Sequence, residues 1–443
     1  MKPMRAVFRC FAGCSGEFPL TQAIYRCPKC DGLLEVSHDL EALGQRSGEA
    51  WKNLFETRYK KSQFPYSSGV WGKREWVMPQ VPDESIVTTN EGGSNLFPAK
   101  RLANELGMKH LWLKLCGDSH TGSFKDLGMT ALVSMVNHAV KKGDLSVRAI
   151  ACASTGDTSA ALAAYGAIAG LPVVVLLPNG LVSTAQLVQP LAHGAKVIAL
   201  DTDFDGCMAV IRELAARGLV YLANSMNPLR IEGQKTVAIE VTQQLDWNPP
   251  DWIILPSGNL GNAAALHAGF RMMCDLGVIS KMPRLCVAQA ENANPMYRAY
   301  VEGREIVTAV AAKKSLASAI QIGNPVSAPR AVAALKAMRG VVEQASEEEL
   351  ADAAARADRT GLYTCPHTGV ALACMFKLIE RGTISRDERV VVISTASGLK
   401  FTEFKLGYHE ASLAVPAHRA NRPVVMPADV EQVAAALESG VSS

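Results

Sequence analysis

The residues best suited to chemistry in this chain are one lysine, three short polar loops and four cysteines. The lysine is Lys125, in the stretch HTGSFKDLGM at 120–129, with the apolar, helix-favouring run MTALVSMVNHAV close behind it. A cation at the entry of an interior-looking helix is costly unless something compensates it. Burial also lowers a lysine's pKa towards the neutral amine, which condenses with carbonyl compounds. The bland alternative is a surface lysine lying along its own aliphatic stem.

The first loop is CASTGDTSAALAAY (152–165), where Ser154, Thr155, Gly156, Asp157, Thr158 and Ser159 separate a strand from an Ala-rich helix. Small hydroxylated residues cap helix starts, and the free N–H groups of a first turn favour an anion. In the second, LPSGNLGNAAALHAGF (255–270), Gly258 and Gly261 flank Asn259 and Leu260, and Asn262 opens another helix. Glycines let the backbone approach closely, and successive N–H groups can cradle a phosphate. The spacing is neither that of a nucleotide loop nor that of a dinucleotide fingerprint. A phosphate of mononucleotide size, such as a cofactor's, fits better. The third, VVVISTASGLKF (390–401), runs a buried strand into Ser394, Thr395 and Ser397. Each loop alone could be a plain cap or a tight turn. Taken with Lys125, they suit pyridoxal phosphate: condensed with its aldehyde, the lysine is an imine and no longer an unpaired ammonium.

Cys10, Cys14, Cys27 and Cys30 are spaced C-x3-C-x12-C-x2-C. Two close pairs on tight turns can offer four thiolates tetrahedrally, which suits a structural Zn²⁺, or iron in a similar cage. The alternative is four unbound thiols. The other seven cysteines, Cys116 and Cys152 among them, lack ligand spacing and read as core fillers.

Bulk properties narrow the classes. The chain has 443 residues, 48% apolar and 20% charged, with 45 basic against 42 acidic side chains. That balance gives no electrostatic argument for nucleic acid or an anionic membrane surface. The most apolar run, LPVVVLLP (171–178), is too short to span a bilayer. The opening MKPMRAVFRCFAGC has neither the apolar core of a signal peptide nor a long Ser/Arg-rich leader. With singly scattered cysteines, this leads to the expectation of a cytoplasmic protein.

The elements that must position these residues follow from periodicity. From about residue 148, short β-rich runs alternate with helical patterns: RAIACAS, TSAALAAYGAIAG, PVVVLLP, STAQLVQPLAHG, AKVIALD, FDGCMAVIRELAARG and onward to ERVVVISTA. Continuous apolar strands separated by helices predict parallel sheets covered on both faces, and the length of the alternation predicts two α/β domains. Their cleft is the default place for a site. Segment 46–100, with Trp51, Trp71 and Trp76, shows no clear period and reads as an irregular arm available to a dimer interface. The tail reads as ending in a short helix, DVEQVAAALESG.

At SHTGSFKDLGM the sequence resembles the fold-type-II pyridoxal-phosphate enzymes, and among them the threonine synthases, most of all their plant-type subgroup. The likeness runs through ACASTGDTSAALAAYGA, VSTAQLVQP, DTDFDGCM, LANSMNPLRIEGQKT, PSGNLGN, AIQIGNPVS, CPHTGVAL and VVISTASGLKF, roughly residues 80–410. It implies two parallel or mixed-sheet three-layer α/β domains of the tryptophan-synthase-β kind, behind a small N-terminal four-cysteine ribbon. The implied layout is a ribbon at 1–45, an arm and the first part of a large domain at 46–120, a small mobile domain at 121–225 and the rest of the large domain at 226–443.

By matching positions, the resemblance implies that Lys125 carries the cofactor. Gly258, Asn259, Leu260, Gly261 and Asn262 hold its phosphate, Thr395 its ring nitrogen, and Asp157 lies by its phenolic oxygen. Ser154, Thr155, Gly156 and Thr158 receive the substrate carboxylate, and Asn224, Ser225 and Arg230 the phosphate of O-phosphohomoserine. The implied reaction is γ-elimination of phosphate followed by addition of water at the β-carbon, in a homodimer. Rivals are a serine/threonine dehydratase or β-replacement synthase, which would not need Arg230, and an inactive binding protein. Many relatives carry asparagine at the position of Asp157, whereas the aspartate follows the plant-type pattern. The four cysteines follow microbial relatives, and effector control by S-adenosylmethionine does not carry over. Thr395, being neutral, stabilises a pyridinium less than a carboxylate would.

Overall fold

The computed structural model describes residues 3–154, 156–180 and 184–440. Among them, three sheets organise the chain. The first pairs Ala6–Cys10 with Phe18–Pro19 and Leu34–His38, all antiparallel. The second has six strands in the order Val341–Ala345, Arg284–Ala290, Trp252–Pro256, Arg389–Ser394, His110–Leu115 and Leu96–Pro98. Only the last joins antiparallel. The third is fully parallel, in the order Lys196–Leu200, Val173–Pro178, Ala149–Ala153 and Val220–Leu222. Strands such as Ala149–Ala153 and Trp252–Pro256 are buried at every position, as a sheet covered on both faces requires.

Helix Lys125–Lys142 is buried over most of its length, which explains its weak amphipathicity in the sequence. Asp126 sits in its first turn and Lys141 and Lys142 in its last, both favourable to the helix dipole. Gly143, at φ 82°, ends it. Helix Leu229–Gln234 lies against it so closely that a Cβ at Gly233 would fall 1.7 Å from the Leu127 carbonyl oxygen. Only glycine allows this backbone contact, and through it the two helices hold Lys125 and Arg230 at one seam.

Segment 46–100 packs on the core and is less irregular than expected. It contains helix Gly48–Arg58, capped by the Ser47 hydroxyl, which accepts the Ala50 N–H at 3.2 Å. Trp51, Trp71 and Trp76 are fully buried within this chain, so they are not free for a partner. Trp51 and Phe55 pack on Trp76 with ring centroids 5.4 and 5.0 Å away, and Trp71 Nε1 donates to Thr130 Oγ1 at 2.8 Å. The tail ends in helix Val430–Gly440.

The ribbon docks on the segment that follows strand Val220–Leu222. The Tyr25 hydroxyl accepts the Leu222 N–H at 2.8 Å. His38 meets Glu232 at 2.6 Å, and Glu232 accepts from Lys235 at 2.5 Å. All three are buried. Burial and the Lys235 cation push the His38 pKa down, which keeps the imidazole neutral.

Candidate active site

Each sequence-predicted loop leaves the carboxyl end of a parallel strand, where open α/β sheets place ligands. Ser154 follows Ala149–Ala153, the 258–262 turn follows Trp252–Pro256, Asn224 follows Val220–Leu222, and Thr395 follows Arg389–Ser394.

Lys125 is the first residue of its helix. Asp126 shapes the preceding turn: its carboxylate accepts the Thr121 N–H at 2.8 Å and the Thr121 hydroxyl at 2.5 Å. The Phe124 N–H donates to the Thr395 carbonyl at 2.9 Å, tying the lysine loop to the third strand end. The Lys125 ammonium lies 4.0 Å from the Phe124 ring centroid. Although the side chain is only half-buried by area, protein crowds the nitrogen itself. This desolvation, with Arg230 and Lys400 nearby, outweighs the attraction of Asp157 and lowers the pKa to about 7. Against the ordinary 10.5, that is on the order of 5 kcal/mol in favour of the free amine. Attachment of pyridoxal phosphate to the apoprotein should therefore accelerate as pH rises to about 7 and level off above it. Stopped-flow imine absorbance checks this, and a rate still climbing steeply at pH 9 would contradict it.

Asp157 is buried and pairs with Lys400 at 3.2 Å. Lys400 also donates to the Thr121 carbonyl at 2.8 Å and to Gln189 Oε1 at 2.9 Å. Lys400 and Gln189 were not singled out by sequence, although Lys400 lies within VVISTASGLKF. A cavity of about 200 Å³ opens here, lined by Gly156, Asp157, Gln189, Ala319, Lys400 and Phe401 among others. Gly156 brings no side-chain cap to helix Asp157–Ala169, and the Ser154 hydroxyl takes the Ser159 N–H, so part of the first turn is open to an anion. The Ser154 hydroxyl is engaged with the N–H groups of Gly156 and Ser159, at 3.2 and 3.3 Å. Thr155 lies outside the described residues.

Arg230 is 3% exposed. Its Nη1 donates to the Ala223 carbonyl at 3.2 Å and its Nη2 to Thr158 Oγ1 at 3.4 Å, while Nε has no partner. Burial lowers its pKa only to about 10, so it stays a cation at neutral pH. A buried guanidinium with no carboxylate partner among the described residues is an anion site. Asn224 bridges to Ala153 through both amide atoms, at 3.0 and 2.8 Å, and Ser225 beside it is half-buried.

The 258–262 turn is built for close approach. A Cβ at Gly258 would sit 2.7 Å from the Ile320 Cα. Leu260 takes left-handed geometry at φ 64° directly before helix Gly261–Asp275, an arrangement that turns successive N–H groups to one side. A non-glycine residue held there costs on the order of 1–3 kcal/mol, a strain typical of ligand clamps. Asn262 serves the turn itself: its amide donates to the Pro256 carbonyl and accepts from the Ser257 hydroxyl and the Ala263 N–H. Asn259 accepts the Ser327 N–H at 3.1 Å. Neighbouring Ala319 links the turn to His367, whose Nε2 accepts its N–H at 3.0 Å.

A family model for pyridoxal-phosphate dependent enzymes matches residues 87–396. Over 430 residues the chain is 52% identical to threonine synthase 2, chloroplastic, of Arabidopsis thaliana, spanning 96% of this chain and 83% of that protein. It is 40% identical to a threonine synthase of Methanosarcina acetivorans, over 87% of this chain and 90% of that one. The chain belongs to the threonine synthase family of pyridoxal-phosphate dependent enzymes. The fold agrees with the crystal structure of Escherichia coli threonine synthase at TM-score 0.68 and 21% identity, covering 98% of this chain and 99% of that one. It agrees with the pyridoxal-phosphate-bound threonine synthase of Brucella melitensis at 0.66 and 16%, covering 90% of each.

The family's cofactor fits this chain on its own geometry. An amine of lowered pKa, a glycine turn that a methyl group would obstruct and a buried hydroxyl at Thr395 would supply an anchor, a phosphate cradle and a ring contact.

The sulfurs of Cys10, Cys14, Cys27 and Cys30 all lie within 4.8 Å of one another, and Cys10 and Cys30 are 3.5 Å apart. Tetrahedral thiolates about 2.3 Å from zinc are roughly 3.8 Å apart, so the set is spaced to take a metal ion. None of the described helices is long and apolar enough to cross a membrane.

Proposed function

We propose that this enzyme converts O-phospho-L-homoserine and water to L-threonine and phosphate, with the residue roles that follow. The observation carrying this reading is the buried Arg230, an unpaired cation beside Thr158 and the 224–225 segment. A dehydratase acting on an unphosphorylated substrate has no use for it.

Bound pyridoxal phosphate supplies an electron sink for carbanion chemistry. Lys125 would anchor it covalently, and residues 258–262 would hold its phosphate. When not engaged in holding the cofactor, the Lys125 amine would be a free base near neutral pH placed to take the substrate's α-proton, as its lowered pKa favours. The first turn after Gly156, with Ser154, Thr155 and Thr158, receives the substrate carboxylate. Arg230 clamps the phosphate in its fork, with Ser225 and the remaining Asn224 N–H, and stabilises it as a leaving group. Asp157, paired with Lys400, would serve the cofactor's phenolic oxygen, and Thr395 its ring nitrogen. Lys125 then directs water to the β-carbon. Stoichiometric phosphate and threonine from O-phosphohomoserine test the reading. A 2-oxo acid and ammonia from threonine or serine, with no phosphate release, would replace it with a dehydratase.

The sulfur spacing supports a structural Zn²⁺ in the ribbon. The purified protein should carry about one zinc per chain by elemental analysis, and Cys27→Ser should lose it. A metal-free wild-type ribbon would sink this assignment. The free cysteines support a reducing compartment, for which we propose the cytoplasm. The domain layout completes the proposal: ribbon 1–45, arm and first part of the large domain 46–120, small domain 121–225, and large domain with C-terminal tail 226–443, with a homodimer as the assembly.

A further inference from the structure

The turn at 258–262 is held from behind by groups that the chemistry above does not use. Ser327 is fully buried, and its N–H donates to the Asn259 carbonyl at 3.1 Å. The N–H of Val326 beside it donates to Asn259 Oδ1 at 3.4 Å. A Cβ at Gly261 would lie 3.9 Å from Ser327 Oγ, so that hydroxyl stands next to the start of helix Gly261–Asp275. Ser327 also precedes helix Ala328–Ala337, yet its side chain caps no N–H of that helix. It accepts instead from Arg330 Nη1 at 3.3 Å. Arg330 is 4% exposed, and its Nη2 donates to the Leu34 carbonyl of the ribbon. Its guanidinium lies 6.0 Å from the Phe11 ring centroid, a second ribbon contact. Glu35 attracts this cation through space, but burial outweighs it and lowers the pKa to about 10. Nε has no hydrogen-bond partner. Arg330 also stands in the first turn of its helix, where the dipole opposes a cation. A guanidinium so placed is costly, and what it supplies is a rigid two-armed tie between the ribbon and Ser327.

We propose that Arg330 is a positioning residue for the cofactor's phosphate, fixing the 258–262 turn through Ser327 while its other arm is anchored on the ribbon; this rests on that turn as the phosphate's seat. A turn that takes an anion on its N–H groups binds best when those groups already point the right way. Asn259 is held by two successive N–H groups, so where the 326–327 segment moves, the turn moves with it. Arg330 keeps that segment still. Its two arms lie in one plane, and gripping Leu34 with one and Ser327 with the other sets the spacing between them. The charge strengthens both hydrogen bonds. The effect is confined to the phosphate end of the cofactor, because Lys125 and Thr395 serve its aldehyde and ring from other elements.

The test compares pyridoxal phosphate with pyridoxal, which keeps the ring and aldehyde but lacks the phosphate. Both are titrated into the full-length apoprotein, with imine absorbance as the readout. Arg330→Met, which keeps the buried stem and loses the fork, should weaken pyridoxal phosphate by about 10- to 100-fold, the worth of one charge-assisted hydrogen bond. Pyridoxal affinity should not change. Ser327→Ala cuts the tie at its other end with little change in volume and should show a smaller loss of the same kind. It supplies the reading should Arg330→Met fail to fold. Arg330→Lys keeps the charge without the fork and should recover only part of the loss. Complete recovery would assign the effect to charge and overturn positioning by the fork. Equal weakening of both ligands would show a general structural role and also overturn it. Gly258→Ala is the control on the seat, since its Cβ would meet the Ile320 backbone. If that variant keeps the preference for the phosphorylated ligand, the turn is not the phosphate's seat, and the site reading falls with the proposal. If it loses the preference while Arg330→Met and Ser327→Ala keep it, the seat stands and Arg330 does not position it.

Discussion

Lys125→Ala abolishes threonine formation and, with it, the imine absorbance of the bound cofactor. Two losses combine. The anchor goes, and so does the base that moves the α-proton, a role worth about 10²–10⁴ in rate by itself. Activity should fall by roughly 10³-fold or more. The fold should survive. The site is half-buried, and removing an amine that burial already discourages from ionising relieves the apoprotein. Added methylamine separates chemistry from misfolding: partial rescue is expected if the missing group is an amine. An active, yellow Lys125→Ala enzyme would remove the central assignment.

Arg230→Ala raises KM and lowers kcat together, because phosphate is both handle and leaving group. Two charge-assisted hydrogen bonds at about 1.5–3 kcal/mol each amount to roughly 10²–10⁴-fold in kcat/KM. Stability should respond in the opposite sense. The guanidinium is buried with an orphaned Nε and no carboxylate partner among the described residues, so its removal relieves an uncompensated charge in the ligand-free protein. Melting temperature without substrate should hold or rise while activity collapses. A further sign follows from Lys125. Arg230 is one of the cations that depress its pKa, so the variant should shift the midpoint for cofactor attachment upward. Arg230→Lys keeps a charge but not the fork, and should recover only part of the loss. Kinetics unchanged in Arg230→Ala would place the substrate phosphate elsewhere.

The two α/β sheets were legible because buried parallel strands read as unbroken apolar runs, as in AIACA and WIILP. The lysine and its loops were legible because each lies in one short stretch with turn and cap residues of its own. Helix Gly48–Arg58 was not, since only Trp51 and Phe55 of its residues are buried and the packing that fixes it comes from Trp76. Strand Val341–Ala345 escaped notice because VVEQA hides a buried glutamate, Glu343, that pairs with Arg381. Lys400 and Gln189 matter through contacts with Asp157 and Thr121 that no local pattern announces.

The docking of the ribbon through Tyr25 and His38 has a consequence for biogenesis. Among the described residues its strands pair only with one another, so it can close as soon as it leaves the ribosome. Two of its anchorage points, Leu222 and Lys235, each lie 197 residues downstream of their partners. At ordinary elongation rates that is a wait of about 10–40 s. A nascent chain thus carries a finished knuckle with an uncovered docking face for that interval, and capture of its metal ion can precede the making of the catalytic crevice.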